Sequence, residues 1–533
     1  MLPISELNFG FSDAENYKNK DYKELFNHIF VRTAELDKLC QSNVFFLVGE
    51  KGTGKTAYAI YLVNNSYRDN ASVINYIRET EYQKFVTLKK ERHLTLSDYT
   101  NIWKIIIYIL IAERIKISDI ATNVIGGIVK FRTLKMAIDE YYNNAFSPEI
   151  IYAINFAEQS KLAAEIMAKY FKAGGGKTET LSFSEAKFQV NLLYIQRKFE
   201  EVFSSLKLKR NNLLFLDGID IRPSSIPYED YLECVKGLAN ALWSINCDFF
   251  SRIKDSPGRM RVVLLIRPDI FHSLGLQNQN NKIRDNSVLL DWRTTYPEYK
   301  NSSLFAMADR LLSAQQTEKL ELGEAWHYYF PYEAIDHRGG QRRDSPFVTF
   351  LRFSLFRPRD IISMLKILQE NFIQQKRGQN ELFREIDFDA PLFRRKYSEY
   401  LLGEVKDHLS FYHSPSDYEL FLKFFEYLRG RPRFTYEEFI FAYNCLITYL
   451  ERNDIKKPEF FEAPDVFLQF LYDANVICYV EDTEDTEEGP YISWCFRDRN
   501  YSNIYPKVKS ALRYEVHYGL GKALNLGKSF IRR

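Results

Sequence analysis

The sequence predicts an α/β fold organised around a parallel sheet, and three short apolar runs predict it: residues 43–48, 212–216 and 261–266. Each is bounded by polar or turn residues and followed by helical periodicity or a turn, the pattern of strands buried in a parallel sheet. With 533 residues the chain is long for one domain, and the length suggests roughly three or four.

Residues 1–40 are polar and aromatic, with turn signals at Gly10 and Ser12-Asp13 and a helix-like stretch over 21–39. They lead into the first strand, directly after which residues 49–56 read Gly-Glu-Lys-Gly-Thr-Gly-Lys-Thr. Glycines in this pattern let backbone N–H groups curl around an anion, the lysine reaches the β and γ phosphates of a nucleotide, and the last hydroxyl reaches Mg²⁺. Residues 57–63 continue as a helix whose N-terminal partial charge faces the phosphates. The expected nucleotide-binding set is Gly49, Glu50, Lys51, Gly52, Thr53, Gly54, Lys55, Thr56 and Ala57, with Lys55 also catalytic and Thr56 a Mg²⁺ ligand.

About 160 residues separate this loop from the next motif, far more than one crossover needs. Helical periodicity at 96–115, 134–143, 150–171 and 184–203 predicts a helical insertion over about 96–205. Within it, Ile105-Ile106-Ile107-Tyr108-Ile109-Leu110-Ile111-Ala112 is less than half the ~20 apolar residues of a spanning segment, so a buried helix is expected and no membrane contact. Lys84-Phe85-Val86-Thr87-Leu88 is expected to add a strand to the core sheet. Gly174-Gly175-Gly176-Lys177-Thr178 ends like a phosphate loop, but Phe171 stands at its first glycine position and a helix precedes it, so it reads as an interhelical loop.

The second core strand delivers Asp217 to the sheet edge, where it is expected to hold the Mg²⁺ shell, and Asp220 follows as a residue that orients or deprotonates water or else caps a turn. A helix at about 228–246 separates this strand from the third, which ends at Ile266 and is followed by Arg267. Arg267 either senses the γ phosphate or pairs with Asp269. From Trp292 to about Gln374 the pattern is helical, and in Phe356-Arg357-Pro358-Arg359-Asp360 the proline starts a helix with Arg359 in its first turn, leaning over the nucleotide or solvated. A basic, phenylalanine-rich stretch at 388–396 leads to three helices at 416–428, 435–450 and 463–475 and a hairpin whose turn, 481–489, is acidic. Three helices and a hairpin suggest a winged helix. The expected organisation is an N-terminal segment packing on the ATPase core (1–40), that core (41–298), a helical lid (299–398) and a winged-helix-like unit (399–533).

Hydrophobic content of 46% with 16% aromatic predicts a folded chain, and a net charge of +2 supplies no whole-molecule case for binding nucleic acid or an acidic membrane. Cys40, Cys234, Cys247, Cys445, Cys478 and Cys495 are scattered, with no zinc-ligand or redox spacing. Met1-Leu2-Pro3-Ile4-Ser5 opens no signal peptide, and a reducing cytoplasm is the expected location.

On these residues the chain resembles P-loop ATPases with an additional core strand, in the branch shared by AAA+ initiator-type and STAND or NACHT switch ATPases. Asp217-Gly218-Ile219-Asp220 is similar to the acidic motif of NACHT proteins, Ile266-Arg267-Pro268 to their sensor-1 arginine-proline, and Phe356-Arg357-Pro358-Arg359-Asp360-Ile361 to a sensor-2 helix. Residues 7–15, Ile266-Arg267-Pro268-Asp269-Ile270-Phe271 with Asn281-Lys282-Ile283-Arg284-Asp285 and Leu290-Asp291-Trp292, and Arg357-Pro358-Arg359-Asp360 resemble a bacterial P-loop ATPase family often linked to mobile elements or anti-phage defence. The resemblance implies ATP and Mg²⁺ as cofactors and a hydrolysing conformational switch or motor, working as a homo-oligomer or with an effector protein. Its alternative is a DNA-binding, initiator-like loader using the C-terminal unit, where Arg497, Arg499, Lys507, Lys509 and Arg513 supply cations. Gly218 stands where many AAA+ proteins carry a catalytic glutamate, so hydrolysis is expected to be slow, trigger-dependent or reliant on Asp220. No leucine-rich, TPR or WD repeat accompanies the core.

Overall fold

The computed structural model describes residues 1–77, 96–115, 119–120, 193, 196–197, 199–222, 226–335, 343–481, 491–500, 503, 505–511 and 513–527. The chain divides into two compact units. One comprises Met1–Thr33, Glu50–Gly54 and Leu290–Arg533, the other Ala34–Gly49 and Lys55–Leu289.

The second of these is α/β. Strands β1 (Phe46–Val48), β2 (Asn70–Tyr76), β3 (Asn211–Asp217), β4 (Met260–Ile266) and β5 (Ser287–Leu289) form one sheet in the order β2-β3-β4-β1-β5, with every pair parallel. β4 therefore lies between β1, which runs into residues 49–56, and β3, which ends on Asp217. The residues of β1 and β4 are all buried, which is why near-continuous apolar runs mark them. β2 carries a mixed sequence, Asn-Ala-Ser-Val-Ile-Asn-Tyr, and is mostly half-buried at the sheet edge, so no apolar run announces it. The strand expected at 84–88, the helices expected at 134–143 and 150–171 and the glycine run at 174–178 lie outside the described residues.

Arg261 is a charge inside β4, and it is accommodated by hydrogen bonding. Its guanidinium donates to the carbonyls of Leu39 (2.9 Å), Val44 (2.8 Å) and Gln41, tying the segment before β1 to the sheet. Burial pushes its pKa down to about 10. Helix Leu96–Arg114 buries the run 105–112 and packs on helix Tyr228–Ser244, where Trp103 Nε1 donates to Cys234 O at 3.1 Å. Among the described residues no helix is long and apolar enough to cross a membrane.

The other unit is mainly helical. Helices Ser303–Ser313, Pro346–Phe353 and Pro358–Gln374 accompany a small hairpin, β6 (Ala334–Ile335) with β7 (Arg343–Asp344). Helix Pro391–Tyr412 runs through the boundary expected at 398/399, because Phe393, Tyr397, Leu401, Val405 and Leu409 continue one buried stripe along it. Helices Pro415–Tyr427, Tyr436–Arg452 and Pro464–Asp473 follow. Capping boxes start the first two, with Ser414 against Asp417 and Thr435 against Glu438.

Four antiparallel strands complete this region: β8 (Arg433–Phe434), β9 (Ile477–Glu481), β10 (Tyr491–Ser493) and β11 (Arg513–Val516), in the order β10-β9-β11-β8. The strand after the acidic segment stops at Ser493, and Cys495–Asp498 is a helical turn. Phe421, Phe424, Phe439, Phe461 and Phe467 are fully buried in the common core, which accounts for much of the aromatic content. All six cysteines are free thiols. Burial pushes Cys234 and Cys495 up to about 12, which leaves them inert as nucleophiles.

Candidate functional site

β3 ends on Asp217, and the next residue turns the chain sharply, with Gly218 at φ +91° and its N–H held by Asp217 Oδ1 at 2.8 Å. Parallel pairing puts the end of β3 and the N-terminus of helix Lys55–Asn64 at the same end of the sheet. Thr56 Oγ1 donates to Asp217 Oδ2 at 2.6 Å, although the two residues are 161 positions apart. Lys55, buried at the helix start, donates to Gly49 O at 2.9 Å and pairs with Asp220 Oδ2 at 3.1 Å. Burial and the neighbouring Asp220 push the Asp217 carboxyl above the usual carboxylate range, while Thr56 and Lys55 pull it back. Lys55, Thr56, Asp217 and Asp220 thus form one cluster.

Asp220 Oδ1 is buried and has no hydrogen-bond partner among the described residues. A hydroxyl and a carboxylate at Thr56 and Asp217 are hard oxygen donors of the kind Mg²⁺ takes in ones and twos, keeping waters and substrate phosphates for its other positions. Among the described residues no group of three His, Cys, Asp or Glu side chains forms a dedicated metal cage. Thr56 and Asp217 thus supply two donors of a type that fits Mg²⁺.

Arg267 emerges at the end of β4, and its guanidinium is taken by Asp269: Nε donates to Oδ1 at 3.1 Å, and Nη2 pairs with Oδ2. Both side chains are buried. The pairing with Asp269 that the sequence allows is thus present.

The middle of the loop, Glu50–Gly54, belongs to the other unit and is held there by residues far along the chain. Three successive carbonyls accept hydrogen bonds. Lys51 O takes Arg357 Nη1 at 2.9 Å, Gly52 O takes the backbone N–H of Arg359 at 3.3 Å, and Thr53 O takes Trp292 Nε1 at 2.8 Å. Gly52 has φ +88°, and a Cβ there would sit 3.2 Å from that of Arg359, so the first turn of helix Pro358–Gln374 rests directly on the glycine. Side chains add a second layer: Glu50 pairs with Arg499, and Lys51 with Glu404 (3.7 Å) and Asp407.

Arg357 is the buried hub of this arrangement. Burial opposes its charge, but Asp360, Tyr400 and Glu404 outweigh that and hold the guanidinium firmly protonated. It donates to Asp360 at 2.7 and 3.0 Å and pairs with Glu404 at 3.4 Å. Arg359, expected at the nucleotide, reaches Glu404 at 3.5 Å. Trp292, Arg357, Glu404, Asp407 and Arg499 had no assigned place at the loop in the sequence reading. Long-range hydrogen bonds to backbone carbonyls leave no periodicity or motif to read.

No protein-family model matches this chain, and no curated protein matches it.

Proposed function

We propose that the chain binds ATP with Mg²⁺ and hydrolyses it as a conformational switch or motor that acts on a protein partner. The observation that carries this reading is the convergence of Lys55, Thr56, Asp217 and Asp220 from two distant stretches of sequence. Lys55 binds the phosphates, and Thr56 and Asp217 would hold Mg²⁺, which supplies neutralisation of phosphate charge. Asp220, whose Oδ1 has no hydrogen-bond partner among the described residues, accepts the proton of the attacking water. The carbonyl contacts at Lys51, Gly52 and Thr53 hold the loop's shape, so its N–H groups are arranged before the ligand arrives.

Calorimetric titration with Mg-ATP and a phosphate-release assay test this directly. Lys55→Ala is expected to abolish binding, whereas Asp217→Asn and Asp220→Asn keep binding and lose turnover by ~100-fold or more. Normal turnover in both acidic variants would sink the assignments.

A protein partner fits better than DNA. Three helices and a four-stranded sheet are compatible with a winged helix, but the third helix, Pro464–Asp473, carries Asp465 and Asp473 and neither lysine nor arginine. β9 ends on Glu481, where the acidic run begins. Of the cations expected to meet phosphates, Arg499 is taken by Glu50, Lys509 by Glu481 (3.0 Å) and Arg513 by Glu515 (3.0 Å), and Arg497 donates to Tyr296 OH at 2.8 Å. Four of the five cations expected at this hairpin are thus engaged within the chain, which weakens the case for duplex binding there.

A further inference from the structure

Between helix Pro415–Tyr427 and β8 the chain reads Arg429-Gly430-Arg431-Pro432-Arg433. This segment is a fixed turn. Arg431 N donates to Leu428 O (3.1 Å), Gly527 N to Gly430 O (2.8 Å) and Val516 N to Pro432 O (2.8 Å), so the backbone is pinned from two other segments. The three arginines are exposed. With Lys522 and the half-buried Arg394 they rim a groove of about 1060 Å³ whose floor includes Val516 and Leu526.

Five cations in this groove face two carboxylates, Asp389 and Glu515. Asp389 is occupied by Arg394 at 2.5 Å, and Glu515 is shared by Arg433 (3.6 Å) and Arg513 (3.0 Å). Arg431 pairs with Glu438. Arg429 and Lys522 have no carboxylate partner among the described residues, and the Arg429 guanidinium lies 5.3 Å over the ring of the exposed Phe441. The groove is thus an apolar floor under a pre-positioned guanidinium rim with an excess of positive charge.

We propose that this groove binds an acidic linear segment of a partner protein, with carboxylates on the arginine rim and an apolar side chain on the floor. Its volume stands at the upper end of the ~300–1,000 Å³ that holds a drug-sized molecule, which suits several residues of an extended peptide and excludes a duplex. Tyr518 is the one aromatic residue besides His517 among the lining residues, so there is no row of rings on which successive bases of a single strand could stack. Arginine beside an exposed aromatic ring is also the composition of a protein-binding hot spot.

The proposal rests on the reading of the chain as a protein-facing switch, and Mg-ATP binding measured on the same samples separates failure of one from failure of the other. The test is fluorescence anisotropy of the full chain with a labelled peptide of about ten residues rich in Glu and Asp and containing Leu. The same peptide with Lys in place of the acids, and a labelled single strand of ~20 nucleotides, serve as competing probes. Only the acidic peptide is expected to bind saturably, more weakly as salt rises. Its affinity is expected to fall at least ~10-fold in Arg429→Glu/Arg433→Glu and in the exposed single variant Lys522→Glu, with Mg-ATP binding retained. If the double variant does not fold, Lys522→Glu carries the test. Absence of saturable peptide binding, unchanged binding in a folded variant, or preference of the wild-type groove for the single strand would each overturn the proposal.

Discussion

Gly218 follows the aspartate that closes β3, in the place where a catalytic glutamate would be looked for. The structure explains the glycine. At φ +91° a Cβ would lie 2.5 Å from Ile77 O, a backbone atom whose own residue is pinned by Ile77 N donating to Asp217 O at 2.7 Å. No side chain fits there, so in the proposed function the proton-accepting role near the cluster falls to Asp220. Gly218→Ala is expected to lower stability by about 2 kcal/mol or more, read by thermal unfolding, and Gly218→Glu is expected not to raise phosphate release. Faster turnover in Gly218→Glu would show that the strand end can open to admit a base.

At the scale of elements, the loop 49–56 depends on more than its own residues. Its carbonyls are bonded one after another by Arg357, the start of helix Pro358–Gln374, and Trp292. Asp360, fully buried, is charge-paired to Arg357 and also accepts from Leu355 N (2.9 Å) and Tyr400 OH (3.0 Å). Removing the guanidinium leaves a buried carboxylate without its counter-charge, so Arg357→Ala is expected to destabilise the protein by about 3–5 kcal/mol in denaturant unfolding. It should also weaken Mg-ATP binding, because Lys51 O loses its donor. A variant that binds Mg-ATP normally would separate helix stability from loop shape.

For the whole molecule, pH exposes a buried histidine. His517 is 1% exposed, with Nδ1 accepting from Gly519 N at 3.2 Å and Nε2 3.3 Å from Ser354 O, which assigns the neutral ring with its proton on Nε2. Burial lowers its pKa to about 4. The folded value lies below the unfolded one, so the unfolded chain binds the extra proton first. Stability from this group is full above about pH 6.5 and is lost as pH falls toward 4, by about 3 kcal/mol in total. Thermal unfolding from pH 7 to pH 4 should therefore fall less steeply in His517→Gln than in wild type. Parallel slopes would remove His517 as the source.

The phosphate-loop pattern proposed to hold a nucleotide was legible in the chain itself, because glycines, lysine and threonine at fixed spacing after an apolar strand answer a local geometric demand. The apolar strands β1, β3 and β4 were legible for a similar reason: burial on both faces writes a continuous apolar run. Strand β2 was not, since a half-buried edge strand mixes polar with apolar residues, and the continuous helix across 398/399 was hidden by the basic residues on its outer face. The fate of individual charges was decided only by the tertiary structure. Whether Arg267 meets Asp269, Arg499 meets Glu50 or Arg357 meets a loop carbonyl depends on which distant backbones approach within hydrogen-bond reach, and sequence spacing carries no record of that distance.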